Sequence, residues 1–304
     1  MQAMILAAGL GTRLKPYTGH RPKPLFPVLG KPLIVYLLEQ LHRQDFSRVV
    51  VNAHHLREQF VSLLGHVPGV FLQLEEEILG TGGGLRKAQP KFNDGPVLIV
   101  NGDILHSYDL SRIVQSHNES GCPVSLVVHD YPRFNNVVVS GDGFVRGFRA
   151  AVQNPPESGQ RILAFTGIHV IDPGILKSIP QDSFYDVIDL YRELSASGKN
   201  EIAAIEMKDG FWTDIGTPLD YLNLHRDLLA GKAPSFLQET IGPFSGPKMI
   251  MPDVSIGRDV VFEDWVCIGT GARIGDGVHI ARSVIWDGAV IEKGTFLEDA
   301  IVVG

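Results

Sequence analysis

A short apolar stretch that runs into a glycine turn constrains the fold of this chain more than any other segment. Residues 6–15 read LAAGLGTRLK, and residues 21–25 read RPKPL. A strand, a tight turn and positive charge together form a place to hold a polyphosphate. Glycines let backbone N–H groups approach the phosphates, and Arg13 and Lys23 supply the charge that a neutral loop lacks. The segment therefore predicts a nucleotide site at the end of the first strand.

Two better-known phosphate loops do not fit this segment. A P-loop requires the pattern GxxxxGK[ST], and no Gly-Lys-Ser/Thr follows Gly9 or Gly11. The dinucleotide fingerprint GxGxxG also fails, because Leu14 stands three residues after Gly11. The alternative is a purely structural glycine turn between a strand and a helix. The cations clustered beside the turn favour the phosphate site.

Length and charge limit the class of protein. The chain has 304 residues, of which 44% are hydrophobic and 20% charged, which is typical of a globular protein with one large and one small domain. The net charge of -7 argues against nucleic acid as a partner, and we expect no membrane partner because no segment approaches spanning length. Cys122 and Cys267 cannot form a disulfide framework, so we expect two buried thiols in a cytoplasmic protein.

Strand-like and helix-like segments alternate over the first two-thirds of the chain. Helical periodicity predicts helices over residues 32–44 and 56–64. The predicted strands are residues 3–7, 48–52, 70–74, 97–101, 124–129, 164–171 and 202–207. The alternation predicts an α/β fold with a mixed, mostly parallel sheet covered on both faces. In such sheets ligands bind at the carboxyl ends of the strands.

Two aspartates stand where that rule expects ligand groups. Asp103 follows the predicted strand at 97–101, and Asp214 lies in the segment FWTDIGT at 211–217. Two carboxylates opposite a phosphate loop suit Mg²⁺, which keeps several waters and accepts substrate oxygens. The alternatives are a turn residue for Asp103 and a helix cap before Pro218 for Asp214. Their occurrence with the opening motif favours the metal site.

A second glycine cluster, LGTGGG at residues 79–84, follows the predicted strand at 70–74. Adjacent glycines leave backbone polar groups exposed, and such groups could contact the edge of a nucleobase. The alternative is a flexible turn before a helix near Leu85.

A six-residue period begins at Ile256. Large apolar residues stand at 256, 262, 268, 274, 280 and 286, and small or β-branched residues follow at 260, 266, 272, 278, 284 and 290. This hexapeptide period predicts a parallel β-helix with about 18 residues per turn, whose large apolar residues point into a shared core. Two to three turns leave an end to cover, so we expect packing on the rest of the chain or on another subunit of a homo-oligomer. His279 is expected to face solvent.

These motifs together resemble the sugar-1-phosphate nucleotidyltransferase family. The opening motif, the glycine cluster, NGD at 101–103, FTG at 165–167 and WTDIGT at 212–217 occur in that family's order. The resemblance implies a Rossmann-like nucleotidyltransferase domain at residues 1–230 and a left-handed β-helix at 252–304. The stretch between them, residues 231–251, is rich in Gly and Pro, and we expect it to be a linker. The resemblance further implies that an NTP and a sugar 1-phosphate give an NDP-sugar and pyrophosphate, with Mg²⁺ as cofactor. The chain looks most like mannose-1-phosphate guanylyltransferases and N-acetylmuramate-1-phosphate uridylyltransferases.

The resemblance also implies a role for each site residue. As the catalytic pair, Arg13 would hold the β and γ phosphates and Lys23 would neutralise charge at the α-phosphate. Asp103 and Asp214 would hold the Mg²⁺, and Gly167 would line the sugar pocket. The implied nucleotide-binding set is Leu6, Ala7, Gly9, Gly11, Thr12, Arg13, Lys23, Gly80, Thr81, Gly82, Gly102 and Asp103.

The sugar pocket departs from the family pattern. Many relatives carry a Glu-Lys-Pro segment whose lysine contacts the sugar phosphate, whereas residues 149–157 read RAAVQNPPE here. Arg146, Arg149 and Arg161 are the candidates to replace that lysine, and the sequence does not choose among them.

Two other functions remain open. A non-catalytic homologue that binds an NDP-sugar for regulation is disfavoured, because all four predicted phosphate and metal ligands are present. A bifunctional enzyme with an acyltransferase tail is disfavoured by the short array of repeats.

Overall fold

The structure is a computed structural model that describes residues 1–149, 158–232 and 246–304. The strands before the C-terminal region are β1 (Gln2–Leu6), β2 (Pro27–Val28), β3 (Lys31–Pro32), β4 (Arg48–Ala53), β5 (Val70–Leu74), β6 (Val97–Asn101), β7 (Ile104–His106), β8 (Val124–His129), β9 (Asn135–Ser140), β10 (Val145–Phe148), β11 (Gln160–Ile171), β12 (Ile202–Glu206) and β13 (Trp212–Asp214). The α-helices are α1 (Leu33–Arg43), α2 (Arg57–Leu64), α3 (Gly80–Ala88), α4 (Leu110–Ser120), α5 (Val187–Ala196) and α6 (Pro218–Asp227). The C-terminal strands are β14 (Lys248–Ile250), β15 (Ser255–Ile256), β16 (Val261–Ile268), β17 (Arg273–Ile274), β18 (His279–Ile285), β19 (Val290–Ile291), β20 (Phe296–Glu298) and β21 (Ile301–Val302).

The chain forms two compact units, each made of separate stretches. Unit 1 consists of Met1–Gly9, Leu38–Gly102 and Tyr108–Gly210, and unit 2 consists of Leu10–Leu37, Asp103–Ser107 and Phe211–Gly304. The predicted boundaries at residues 230 and 252 stay a prediction, and most of the predicted linker lies outside the described residues.

Unit 1 is built on one mixed sheet, which has nine strands within the described residues. The strand order is β10-β9-β11-β6-β1-β4-β5, and β8 pairs with both β11 and β12. Strands β5, β4, β1 and β6 are parallel neighbours, while β11 runs antiparallel to β6. The carboxyl ends of the four parallel strands therefore share one edge of the sheet. The α/β fold predicted from the sequence is confirmed.

The core of unit 1 is made from apolar strand residues and two helices. Strands β6 and β8 are buried along nearly their whole length, as their runs of Val, Leu and Ile predict. Leu85 of α3 and Leu190 and Tyr191 of α5 pack into the same core. The imidazole of His169 is buried there between the rings of Phe165 and Tyr191, with ring centroids 5.5 Å and 5.6 Å away.

Unit 2 joins the C-terminal third of the chain to the segment after the first strand. Its apolar cluster contains Leu14, Phe26, Tyr221, Trp265 and Trp286 among its buried residues. Phe26 meets Tyr221 and Trp286 edge to face, with ring centroids 5.6 Å and 4.8 Å away. The segment that carries the predicted phosphate ligands therefore shares a core with the C-terminal strands.

The C-terminal strands form two parallel ladders, which we call the C-terminal ladders (residues 248–302). One contains β14, β16, β18, β20 and β21, and the other contains β15, β17 and β19. Lys248 pairs with Val266, 18 residues further on, and His279 pairs with Phe296, 17 residues further on. These intervals agree with the predicted turn length, whereas the left-handed β-helix itself stays a prediction.

The six-residue period predicts the inner face correctly only from Val260 to Ile280, and Ile256, at the start of the predicted array, is 44% exposed. Val284 and Trp286 pack in the cluster with Phe26 instead of the inner core, and Val290 is 50% exposed. Ile285, Ala289 and Ile291 fill the inner core in their place. The inner residues Ile280 and Ile285 are five residues apart, and a shift of one residue moves strand side chains to the opposite face.

Candidate active site

The glycine turn after the first strand has the conformation that the phosphate motif requires. Gly11 has a φ of +59°, and a Cβ atom there would lie 2.8 Å from Thr18 Cγ2. The Leu14 N–H donates to the Gly11 carbonyl at 2.9 Å and begins a short 3₁₀ helix at Thr12–Leu14. The side chains of Thr12 and Arg13 are exposed. Only glycine fits at position 11, and the turn leaves the Arg13 cation at the surface.

Lys23 is held in place by the chain on both sides. It begins a 3₁₀ helix at Lys23–Leu25 between two prolines and is 8% exposed. Its Nζ donates to Asp103 Oδ2 at 2.5 Å. The structure thus brings the predicted catalytic lysine and a predicted metal ligand together within unit 2.

The two predicted metal ligands lie at one end of a two-stranded ribbon. Strand β7 pairs antiparallel with β13, and Ile104 is opposite Asp214. The Ile215 N–H donates to the Asp103 carbonyl at 3.0 Å and extends the ribbon by one step. The alternative of a helix cap for Asp214 is wrong, because Thr217 caps α6 through its Oγ1, which accepts from the Asp220 N–H at 3.2 Å.

Asp220 lies beside Gly216 together with Asp214 and Arg13, and it was not predicted from the sequence. A Cβ atom on Gly216 would lie 2.8 Å from Asp214 Oδ2, 3.0 Å from Asp220 Oδ2 and 3.7 Å from Arg13 Nη1. Thr217 Oγ1 also donates to Asp220 Oδ2 at 2.8 Å. The spacing Thr217-x-x-Asp220 at a helix start is a capping signal that could have identified this residue.

In unit 1, the first predicted nucleotide-binding residues lie at the carboxyl edge of the sheet. Leu6 pairs with Asn52 on one side and with Asn101 on the other. The Ala7 N–H donates to Asn52 Oδ1 at 2.8 Å, and the Gly102 N–H donates to the Leu6 carbonyl at 2.8 Å. Gly9 is exposed, and none of the described residues comes within 4 Å of a Cβ placed on it.

A buried polar network at this edge was missed by the sequence reasoning. Glu75 is 1% exposed, and its Oε1 accepts from Asn52 Nδ2 at 2.9 Å and from Gln73 Nε2 at 3.4 Å. Its Oε2 accepts from the Leu79 N–H at 3.4 Å, directly before α3. Glu75 thus links β4 and β5 to the start of the glycine-rich helix.

The second glycine cluster forms the first turn of α3. The expectation that its backbone groups are exposed is wrong for Gly82 and Gly83, which are buried and whose N–H groups donate to the Tyr185 carbonyl at 2.8 Å and 3.2 Å. A Cβ atom on Gly83 would lie 2.4 Å from the Ser183 carbonyl oxygen. Glycine is needed here because the segment at 183–185 crosses close to the helix. A base contact by Gly80, Thr81 and Gly82 stays a prediction.

Gly167 is buried beside the last residue of β6. It has a φ of +80°, and a Cβ atom there would lie 2.6 Å from Asn101 Nδ2. The register of β11 against β8 shifts between Phe165 and His169, which bends the strand at this glycine. Its role in a sugar pocket stays a prediction.

Two of the three arginines that could replace the missing lysine form ion pairs with nearby carboxylates. Arg146 Nη2 pairs with Asp142 Oδ2 at 3.0 Å. Arg161 binds both carboxylate oxygens of Glu206, at 2.8 Å and 2.5 Å. Apart from Arg149, the segment 149–157 lies outside the described residues.

Comparison with known proteins decides the family. A model described as nucleotidyl transferase matches residues 2–231, and a second, described as GMPPB C-terminal domain, matches residues 244–304. The chain belongs to the nucleotidyl transferase family.

Named relatives agree with this assignment. The chain is 28% identical over 306 residues to a mannose-1-phosphate guanylyltransferase of Mycobacterium tuberculosis, covering 98% of this chain and 83% of the relative. It is 31% identical to a UTP–glucose-1-phosphate uridylyltransferase of Synechocystis sp., covering 99% and 82%. The predicted enzyme class, a sugar-1-phosphate nucleotidyltransferase, is confirmed.

A solved structure supports the α/β nucleotidyltransferase fold. The putative glucose-1-phosphate thymidylyltransferase of Bacillus anthracis, determined in complex with a sucrose, superimposes with a TM-score of 0.65 at 21% identity, over 77% of this chain and 96% of that one.

Cys122 and Cys267 are free and buried, as predicted. Within the part of the chain that the structure describes, no helix has the length and apolar character needed to cross a membrane.

Proposed function

We propose that this chain is a mannose-1-phosphate guanylyltransferase, which converts GTP and mannose 1-phosphate into GDP-mannose and pyrophosphate. The match of residues 244–304 to the GMPPB C-terminal domain and the name of the Mycobacterium tuberculosis relative support this pair of substrates. The observation that carries the site is the Lys23–Asp103 ion pair next to the Gly11 turn, where a Cβ on Gly11 would lie 3.6 Å from Lys23 Cβ.

In the proposed reaction, an oxygen of the sugar phosphate attacks the α-phosphorus in line and pyrophosphate leaves. This chemistry needs little covalent help, so the rate depends on where the protein holds its charges. Arg13 binds the β and γ phosphates from the exposed side of the turn, and the backbone at Gly11 and Thr12 contacts the same groups. Lys23 neutralises the charge that develops at the α-phosphate.

The proposal includes Mg²⁺ held by Asp103 and Asp214. Members of the family generally use a divalent metal ion. Among the described residues no group of three or more His, Cys, Asp or Glu side chains is arranged to hold a metal. Asp103 and Asp214 nevertheless lie at the same end of the β7–β13 ribbon, and one or two carboxylates are enough for Mg²⁺, which completes its shell with water and substrate oxygens. When bound, the ion would neutralise phosphate charge and orient the NTP.

A second candidate pair is UTP and glucose 1-phosphate. The relative from Synechocystis sp., which carries that name, is 31% identical to this chain. N-acetylmuramate 1-phosphate with UTP is a third combination to test, because of the resemblance described above.

The test is pyrophosphate release in the presence of Mg²⁺, with the four NTPs against mannose 1-phosphate, glucose 1-phosphate and N-acetylmuramate 1-phosphate. We expect the highest kcat/KM with GTP and mannose 1-phosphate. Asp103→Ala should lower that value by about 100-fold or more, because it removes both a metal ligand and the partner of Lys23. Asp94→Ala, which removes an exposed carboxylate, is the matched control and should keep wild-type activity.

Each other result points to a different function. A preference for UTP with glucose 1-phosphate would replace the proposed substrates by the second candidate. Tight GDP-mannose binding without turnover of any pair would favour the non-catalytic regulatory homologue.

We also propose a homo-oligomer in the cytoplasm. Val261 and Phe296 of the C-terminal ladders are 51% and 61% exposed, and both pair with His279, so two exposed apolar side chains flank this histidine on one face. Two free thiols suit a reducing compartment. A strictly monomeric mass in size-exclusion chromatography with light scattering would contradict the oligomer.

A further inference from the structure

The segment that carries Lys23 is stiff. Pro22 and Pro24 restrict the backbone on both sides of the lysine, since each proline ring fixes its own φ. The Leu25 N–H donates to the Pro22 carbonyl at 2.8 Å, and the Phe26 N–H donates to the Lys23 carbonyl at 3.1 Å. A displacement at either end of this segment will therefore move Lys23.

Both ends of the segment contact one corner of the C-terminal ladders. Arg21 Nη1 pairs with Asp287 Oδ2 at 3.3 Å, and the guanidinium carbon of Arg21 lies 5.1 Å from the centroid of the Trp286 ring. At the other end, the ring of Phe26 meets the same indole edge to face at 4.8 Å. Lys23 thus lies between two residues that both rest on Trp286.

The side chain of Trp286 is itself held in place by a hydrogen bond to Tyr221. It is 2% exposed, and its Nε1 donates to the hydroxyl of Tyr221 at 3.1 Å. The Tyr221 hydroxyl in turn donates to the Pro27 carbonyl, one residue beyond Phe26. Burial raises the pKa of Tyr221 well above its ordinary value, so the hydroxyl keeps the proton that it donates.

We propose that Trp286 and Asp287 are positioning residues for nucleotidyl transfer, which hold the segment from Arg21 to Phe26 so that Lys23 reaches the nucleotide. This inference rests on the role proposed for Lys23. The C-terminal ladders then contribute to the reaction without touching substrate, and their removal or rearrangement would change the rate of transfer.

The test compares wild type, Asp287→Asn and Trp286→Phe in two measurements. Steady-state kinetics with the preferred substrate pair gives kcat and KM, and native-state hydrogen exchange reports on the Leu25 and Phe26 amides. Asp276→Asn is the matched control, because it removes a different aspartate–arginine ion pair on the ladders, Arg258 Nη2–Asp276 Oδ2 at 3.0 Å. Asp287→Glu keeps the charge and serves as the rescue variant.

We expect Asp287→Asn and Trp286→Phe to lower kcat about tenfold and to speed exchange of the two amides by about the same factor. Asp276→Asn should change neither quantity, and Asp287→Glu should restore most of the rate. The reduced rate should remain at temperatures well below unfolding, where every variant is folded.

The remaining outcomes distinguish a failure of this inference from a failure of the proposed function. Unchanged exchange in both variants would overturn the proposal, and so would faster exchange with an unchanged kcat, since the segment would then be held without consequence for transfer. A wild type that turns over no substrate pair would reject the proposed function instead, while the exchange rates would still show whether the ladders hold the segment.

Discussion

Gly167 occupies a position where any side chain would be strained. Its φ of +80° is strained for other residues, and a Cβ would lie 2.6 Å from Asn101 Nδ2. We predict that Gly167→Ala lowers the free energy of unfolding by about 1–3 kcal/mol. If the glycine lines the sugar pocket, the KM for the sugar 1-phosphate should rise as well. Urea unfolding and steady-state kinetics measure the two effects.

Gly174→Ala is the control for this substitution. None of the described residues lies within 4 Å of a Cβ at that position, and its φ is outside the left-handed region. Its stability and its KM should stay near wild type. Equal stability losses in the two variants would show that the contact with Asn101 is unimportant.

His169 predicts a loss of stability in mild acid. Burial lowers its pKa to about 3, whereas an unfolded histidine titrates near 6.5. Between these values the unfolded state binds the extra proton, so the free energy of unfolding falls by about 1.4 kcal/mol per pH unit as pH decreases from 6.5. His169→Phe, which keeps a ring between Phe165 and Tyr191, should remove that contribution.

Urea unfolding at several pH values between 4 and 7 tests this prediction. Burial also lowers the pKa of His106 to about 3 and of His225 to about 4, so the variant should keep a reduced acid dependence. His66→Asn, at an exposed position, is the control. A pH slope in His169→Phe equal to that of wild type would contradict the assignment.

The residues that the sequence identified are those with an unusual local pattern. Gly11, Lys23 and Asp103 stand in motifs whose spacing carries the chemistry, and the structure brings the last two into contact. Asn52 and Glu75 have no such pattern, because their meaning comes from a hydrogen bond between residues 23 positions apart. Long-range polar pairing of this kind is not encoded in any short window.

At the scale of elements, Glu75 connects two strands to the helix that begins with glycines. We predict that Glu75→Ala lowers the free energy of unfolding by about 2–4 kcal/mol, because Asn52, Gln73 and the Leu79 N–H lose a buried acceptor. The KM for the NTP should also rise if α3 contacts the base. Chemical denaturation and kinetics measure both changes.

Glu76→Ala is the matched control, since Glu76 is exposed on the same loop. It should leave stability and KM unchanged. Comparable losses in the two variants would contradict a special role for the buried carboxylate.

The C-terminal ladders give a second prediction at this scale. Ile285 is buried in the inner core, whereas Val290 is half exposed, the reverse of what an unbroken six-residue period requires. Ile285→Ala should cost about 2–5 kcal/mol of unfolding free energy, and Val290→Ala less than about 0.5 kcal/mol. Thermal and urea unfolding compare the pair. A larger loss of unfolding free energy for Val290→Ala than for Ile285→Ala would instead support an unbroken six-residue period.

The elements that could be predicted are those with strong apolar patterns. All seven predicted strands form, and three of them (Val70–Leu74, Val97–Asn101 and Val124–His129) have the predicted bounds. The start of α3 could not be predicted, because glycines disfavour helices and the segment at 183–185 compensates only through tertiary contact. The five-residue interval after Ile280 could not be recognised in the sequence, because Trp286 is apolar and buried but packs in the unit 2 cluster instead of the inner core.

At the scale of the whole molecule, the two units differ in how far their apolar cores depend on C-terminal residues. Among the described residues, the core of unit 1 extends no further along the chain than Ala204, whereas the cluster of unit 2 includes Trp265, Cys267, Val284 and Trp286. We predict that a chain ending at residue 245 keeps the sheet of unit 1 but loses order over residues 11–29. Hydrogen exchange should show protected amides in β1 and β6 and exchange at least about tenfold faster around Lys23. Full protection of residues 11–29 would contradict this.

The grouping of residues into units could not be read from the sequence. The motif at 6–15 looks continuous, yet the chain passes from unit 1 to unit 2 after Gly9. Composition and periodicity describe neighbours along the chain, whereas this grouping depends on aromatic packing between Phe26, Tyr221 and Trp286.

The five-residue interval between Ile280 and Ile285 determines which changes of length the C-terminal region can accept. The preceding turn has six residues between the inner side chains Phe262 and Ile268, and it absorbs the extra residue between Glu263 and Val266 while Ile268 still pairs with Ile285. One residue inserted beside Arg282 should therefore be absorbed at the same corner, and Trp286 should keep its contacts with Arg21 and Phe26. Turns of 17 and 18 residues already coexist in this region, so its length can change by one residue at this corner, whereas an insertion inside a strand would exchange the two faces of that strand.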